Sequence, residues 1–254
     1  MITSPVAEIA EQAEALALAC RRLHARGLLA GAEGNLSVRL SDDTVLVTAS
    51  GVDKAGIGVG QVLRVWWRVM DGAPYGVSHG VPELTSACPL HDGTGHEDGD
   101  RSLRPSSELE MHLACYAARP NVRGIVHAHP PAATGFATAG LPLPADVLPE
   151  VPVVVGPVAL VPYGRPGTPA LAAAMQPFLA AHEVFLLANH GVTAVGRTLT
   201  DALLRMESVE QAARIVAVAR LLGGEQRLPA GEAAALASLH RSHELPTGSS
   251  PRSL

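Results

Sequence analysis

The run Gly124-Ile125-Val126-His127-Ala128-His129-Pro130-Pro131 narrows the folds open to this chain more than any other stretch. It is too short for a helix, and it stops at two prolines, which cannot continue a hydrogen-bonded ladder. It therefore reads as a buried strand with a hard end. Along a strand side chains alternate, so His127 and His129 share a face, about 6.6 Å apart along the chain. Two imidazoles so placed can grip one small ion such as zinc, whose bonds to nitrogen are about 2.0–2.1 Å. A third candidate, His190, follows the apolar run 184–188 in Asn189-His190-Gly191. A lone histidine at a strand end is usually an ordinary loop residue. The His-x-His pair together with a strand-end His-Gly turns the reading towards a metal.

With 254 residues and 47% hydrophobic content, the chain can bury a full core as one α/β domain with a tail. Its net charge of −5 argues against a general nucleic-acid binder, though a small anion pocket stays open. Cys20, Cys88 and Cys115 show no CxxC spacing and cannot all pair, which suits a reducing cytoplasm. The first residues lead into an acidic amphipathic helix rather than a secretion signal, and no apolar run is long enough for a membrane span. The expectation is a soluble cytoplasmic protein with no membrane partner.

Ser4-Pro5 is a helix start, and Gly27 ends the helix. Residues 36–40 and 44–48 alternate as a hairpin, and 62–69 reads as a further strand. From 71 to 104 periodicity disappears, and this stretch is expected to be a lid, an insertion or disorder. Its Cys88-x-x-His91 pair is a weak metal candidate. Order returns with a helix from Pro105-Ser106-Ser107-Glu108 to about 118, the strand 122–127 and a helix opened by Pro130. The run 153–161 looks extended. Thr168-Pro169 opens another helix, 185–188 and 192–195 are strands, and Thr198 or Thr200 starts a long helix to about 222. Residues 227–254 read as a partly disordered tail with a weak helical patch.

Glu108 sits in the first turn of its helix, where acidic residues suit the dipole in any protein. Beside three metal-bound imidazoles, however, a carboxylate can also serve as ligand or general base. Ser106 and Ser107 lie at the same helix terminus, where unpaired N–H groups favour an anion. Gly34-Asn35-Leu36-Ser37 and Thr48-Ala49-Ser50-Gly51 are two more small polar turns at strand ends. Alone they are hairpin punctuation; with the metal group they suggest a bound phosphorylated metabolite.

These motifs, in this order and approximate spacing, resemble the class II aldolase/adducin family over residues 5–222, apart from the 71–104 stretch. The resemblance implies a domain over 1–226 with 71–104 as an atypical loop insertion. Its fold would be a three-layer α/β/α sandwich with a mainly antiparallel central sheet, assembled as a homotetramer with sites at subunit interfaces. It further implies that His127, His129 and His190 hold Zn2+ or another divalent ion such as Mn2+. Glu108 would be a metal ligand and the catalytic acid/base. Gly34, Asn35, Ser50, Gly51, Ser106 and Ser107 would bind the substrate phosphate.

The activity so implied is cleavage of a small ketose 1-phosphate, of the fuculose-phosphate kind, to dihydroxyacetone phosphate and an aldehyde through a zinc-stabilised enediolate. One departure bears on it. The family aldolase carries a tyrosine some twenty residues after the His-x-His pair, and here that region reads Asp146-Val147-Leu148-Pro149-Glu150. The family's decarboxylases of phosphorylated keto acids fit that departure, because carbon dioxide leaves without a proton. Dehydration of a ketose phosphate is a further possibility, whereas the family's 4-epimerases carry Asp where this chain has Glu108. A reading of another class is a non-catalytic, adducin-like interaction domain. The expected partner is a small phosphorylated sugar or keto acid.

Overall fold

The structure, a computed structural model, describes residues 5–68, 83–89 and 103–243. Short runs rich in Val, Leu, Ile and Thr supply the strands: β1 (Asn35–Arg39), β2 (Thr44–Thr48), β3 (Val62–Arg68), β4 (Glu83–Pro89), β5 (Gly124–Ala128), β6 (Val158–Val161), β7 (Val184–Leu187) and β8 (Gly191–Gly196). Among the described residues they form one eight-stranded sheet in the order β4-β3-β2-β1-β5-β8-β7-β6. Neighbours are antiparallel except β6 and β7, which run parallel. The sheet is thus mixed and mainly antiparallel, as expected.

The helices are α1 (Pro5–Ala25), α2 (Leu109–Ala118), α3 (Pro131–Thr138), α4 (Pro169–Met175), α5 (Leu199–Leu221) and α6 (Glu232–His243). β1, β2, β5, β7 and β8 are buried along their whole length. That is the pattern of a sheet covered on both faces. α1 packs on β1 to β3, α5 on β5, β7 and β8, and α3 on α5. Arg22 of α1 reaches Glu207 of α5 at 2.7 Å, which joins these helices into one layer. α2 packs against α4. Its His112 bonds Ser37 of β1 at 2.7 Å, and its Met111 sulfur accepts from Thr193 of β8 at 3.3 Å, so α2 covers the opposite face. The result is a three-layer sandwich.

Local chemistry sets several boundaries. Thr198 and Asp201 form a reciprocal capping box at the start of α5, each bond 3.0 Å. Thr168 caps α4, with Pro169 at its first position.

Three expectations need correction. The stretch 71–104 contributes an edge strand, β4, paired to β3. Glu-Leu-Thr-Ser-Ala-Cys-Pro hides it, because it lacks the apolar alternation of a half-buried strand. Cys88 lies opposite Arg64 in that ladder, whereas residues 71–82 and 90–102 of the expected lid, His91 among them, lie outside the described residues. The run expected to be extended from 153 is instead a short wide helical turn, Val151–Val155, before β6 begins at Val158. Pro152 near its start and the left-handed Gly156 at its end (φ 77°) set its limits. Glu108 is the N-cap of α2 rather than a first-turn residue. The helical patch expected near the C-terminus is the helix α6, which packs on the 151–155 turn.

Candidate functional site

Antiparallel pairing gathers the candidate residues at one end of the sheet. β1 begins where β5 ends, with Asn35 opposite His127. β8 begins there too, with Val192 opposite Ala128, so His190 arrives just ahead of it. β2 ends there, which brings Ser50 and Gly51 to the same rim. Ala49 forms an isolated bridge with Pro105, and the Ser50 N–H donates to the Arg104 carbonyl at 2.8 Å. That bridge lays the Pro105-Ser106-Ser107-Glu108 segment, and with it the start of α2, across the strand ends. On the sheet face that carries α2, Asn35, Ser37, His127 and Thr193 lie side by side.

The three imidazoles converge. Ring centroids are 5.2 Å apart for His127 and His129, 4.8 Å for His127 and His190, and 5.1 Å for His129 and His190. One ligand nitrogen from each lies within 4.8 Å of the others. Glu108 closes the group: its Oε2 is 3.2 Å from His127 Nε2 and its Oε1 is 2.9 Å from His190 Nε2.

Two glycines make this convergence possible. A Cβ on Gly191 would come within 2.4 Å of His129 Cδ2, so the His129 ring occupies the space a side chain would need. A Cβ on Gly34 would meet the His127 carbonyl oxygen at 2.7 Å, and Gly34 is left-handed besides (φ 69°). Asn189, before His190, is also left-handed (φ 55°), which a short amide side chain tolerates.

The outer atoms of the histidines fix which nitrogens face inward. His127 Nδ1 lies 3.0 Å from the Val192 carbonyl oxygen and 3.1 Å from Thr193 Oγ1. The carbonyl can only accept, so Nδ1 carries the proton and Nε2 offers its lone pair to the centre. His129 Nδ1 lies 3.1 Å from Glu33 Oε2 and is fixed in the same way. Such outer partners are how proteins orient metal-ligating imidazoles. His127 Nε2, His129 Nε2 and Glu108 Oε1 are buried, and none has a hydrogen-bonding partner of good alignment. Orphaned lone pairs are costly to bury. A shared cation would satisfy all of them, and three nitrogens with one carboxylate are a donor set suited to zinc or manganese.

The electrostatics agree. Burial opposes the charged form of Glu108, but hydrogen bonds and positive charge at His127 and His190 outweigh it and hold the carboxyl well below the usual range, a field that a cation held by the same rings would equally supply. The His129 pKa is lowered, first by burial and then by the neighbouring His127 and His190. Glu108 is therefore a carboxylate, and protons are disfavoured on His129, as metal ligation requires.

Ser50, Gly51, Ser106 and Ser107 do border one rim, next to the Gly167 turn, where an added Cβ would lie 3.3 Å from that of Ser107. Ser106 Oγ accepts from the Glu108 N–H at 3.2 Å. Asn35 Nδ2 donates to Glu108 Oε2 at 2.9 Å, so it steadies the carboxylate. Sequence reasoning missed Glu33 and Thr193. Thr193 could have been found, because register places it beside His127. Glu33 carried no signal, since it is an exposed acid in a loop.

His112 lies one turn beyond Glu108 and faces into the fold. Its Nδ1 meets Ser37 Oγ, which also contacts the Tyr116 hydroxyl at 2.8 Å. Burial, assisted by His127, pushes the His112 pKa down to about 3, so this ring is neutral.

Comparison with known proteins bears on the same residues. Residues 14–217 match the family described as Class II Aldolase and Adducin N-terminal domain. The 3-oxo-tetronate 4-phosphate decarboxylase of Haemophilus influenzae is 32% identical over 77% of this chain and 81% of its own length. The 3,4-dihydroxyphthalate decarboxylase of a Terrabacter species is 30% identical, covering 91% and 90%. A solved structure of an L-fuculose 1-phosphate aldolase superposes with a TM-score of 0.72 at 27% identity, covering 95% of this chain and 98% of that one.

Proposed function

The chain belongs to the class II aldolase/adducin family, and on that premise we propose that it is a metal-dependent lyase that breaks a carbon–carbon bond beside a carbonyl in a small phosphorylated acid. The observation that carries this reading is the meeting of His127, His129, His190 and Glu108 at one point, with buried lone pairs left over. Nothing in a purely structural, adducin-like role calls for that set. A bound divalent ion, zinc or manganese, would supply a Lewis acid for the negative charge that develops on the substrate oxygens.

The chain's own groups divide the remaining work. His127 and His129 are held in register by Thr193, the Val192 carbonyl and Glu33. Glu108, steadied by the Asn35 amide, is a carboxylate within reach of the centre and carries a proton to or from the carbon at the broken bond. Ser50, Gly51, Ser106 and Ser107 form a polar rim for the phosphate, so that binding energy goes into orientation. His112 is buried and neutral behind Glu108 and takes no proton from substrate.

Decarboxylation is placed ahead of aldol cleavage, reversing the order that the sequence suggests. The electron pair of the broken bond stays on the carbon next to the carbonyl, carbon dioxide departs, and that carbon takes a proton. No acid is needed at the leaving side, which suits a chain without tyrosine at 146–150. Two relatives at 30–32% identity are decarboxylases by name. Aldol cleavage of a ketose 1-phosphate is the second reading, favoured by the likeness to the fuculose-phosphate enzyme. Assembly as a cytoplasmic homotetramer with interface sites belongs to the same reading. Among the described residues, no helix is long and apolar enough to cross a membrane.

Product analysis tests it. The metal-loaded protein is offered a phosphorylated 3-keto acid and, separately, a ketose 1-phosphate. Carbon dioxide from the first supports the proposal. An aldehyde and a triose phosphate from the second alone would replace it with the aldolase reading. Turnover of neither would remove both.

A further inference from the structure

Lys54 is the only lysine among the chain's 19 Lys and Arg residues, and it is almost wholly buried, with 1% of its surface exposed. Its ammonium donates to the Val52 carbonyl at 3.0 Å and to the Ala32 carbonyl at 3.3 Å, and its backbone N–H donates to the Gly31 carbonyl at 2.9 Å. Among the described residues no carboxylate lies within ion-pair distance of it. Burying an unpaired cation is costly, and arginines are used at every other basic position. Burial also lowers the lysine's pKa, against which Cys20 and Asp53 act only in part.

The position explains what the cost obtains. Val52 follows the Ser50-Gly51 turn, and Ala32 precedes Gly34-Asn35. Lys54 therefore ties the Ser50-Gly51 turn, which with Ser106 and Ser107 makes the proposed phosphate rim, to the neighbouring Gly34-Asn35 turn. That rim otherwise consists of hydroxyls and backbone N–H groups, none carrying net charge. Arg104 and Arg165 beside it are exposed, so water and salt screen them. The field of a buried cation is screened far less.

Building on the phosphate reading above, we propose that Lys54 is the positioning residue of the anion subsite. From beneath, it pins the 31–35 and 50–54 turns together and lends the neutral rim its positive charge for a phosphate. The lysine does not touch the phosphate; it acts through the two turns and through its field.

Inorganic phosphate is the probe, titrated by calorimetry into the metal-loaded protein. Phosphate on the metal itself would contribute equally to every variant. In Lys54→Met the dissociation constant for phosphate is expected to rise about tenfold, and in Lys54→Arg, which keeps the charge, to stay within about threefold of wild type. Ser107→Ala serves as the control for the rim. Weakening in Ser107→Ala with none in Lys54→Met overturns the role of Lys54 and leaves the phosphate reading standing. No weakening in either variant overturns the phosphate reading itself. A tenfold loss in a folded Lys54→Arg contradicts the part assigned to charge.

A second measurement needs no variant. With a single lysine, protein grown on lysine labelled with carbon-13 at Cε alone gives one methylene carbon resonance, and that resonance is expected to shift with phosphate and saturate at the calorimetric constant. A resonance that stays still while phosphate binds contradicts the proposal.

Discussion

The two ends of the central sheet each bury a carboxylate, and they treat it in opposite ways. At one end Glu183, just before β7, meets Arg119 at 2.8 Å and Arg205 at 3.5 Å. The same arginines also donate to the carbonyls of His182 and Val195. Every atom of that carboxylate faces a permanent cation. At the other end Glu108 meets two imidazoles and an amide, none of them a fixed charge, and lone pairs of His127, His129 and Glu108 are left without aligned partners. The first arrangement gives both carboxylate oxygens a cation, although the Arg205 Nε is left without an acceptor, and it holds α2, β7 and α5 together. The second would be completed by a shared cation. Buried carboxylates thus read as structural when their partners complete them, and as functional when they do not.

The comparison can be pressed by mutation. Glu108→Gln keeps the shape and the Asn35 neighbour but removes the acid/base, so turnover should fall about 100- to 10,000-fold with the fold intact. Near-normal turnover, measured on whichever substrate proves active, would remove Glu108 from the chemistry. Arg119→Met strips the opposite end of its stronger partner and leaves Glu183 short of charge. Denaturant unfolding should show a loss of about 3 kcal/mol, with metal affinity of the folded protein unchanged. A loss of metal affinity there would mean that the two ends are coupled.

The smallest effect concerns His112. Its folded pKa of about 3 lies below the 6.5 of the unfolded chain. Between those values the unfolded state binds the extra proton, so stability falls as pH drops from 6.5 towards 3. The slope from this one ring approaches about 1.4 kcal/mol per pH unit. His112→Gln, which can still meet Ser37, should flatten the curve relative to wild type, and an unchanged slope would show that the ring is not held neutral.

Much of the open end could be read from the chain. His127 and His129 announce themselves because strand alternation and two prolines leave them nowhere else to point. His190 follows because Asn-His-Gly ends an apolar run, and Glu108 because Pro-Ser-Ser-Glu opens a helix. What could not be read depends on pairs distant in sequence. The Asn35–Glu108 contact is one of these, because only register puts Asn35 opposite His127, where its amide reaches Glu108. The Arg119–Glu183–Arg205 cluster joins three elements, and nothing local marks it. β4 escaped because an edge strand such as 83–89 needs no apolar face. The 151–155 turn escaped because a Val-rich run favours strand until Pro152 and Gly156 are weighed. Lys54 carried a compositional signal, its uniqueness, that only burial makes meaningful.

Metal uptake tests the account most directly. Stripped protein is dialysed against trace zinc and its metal content measured beside that of His127→Ala, His190→Ala and Arg119→Met. The account predicts about one zinc per chain for wild type and for Arg119→Met, and none for the folded histidine variants. A wild type that takes up no divalent ion, or histidine variants that keep it, would contradict the claim that these side chains form one centre.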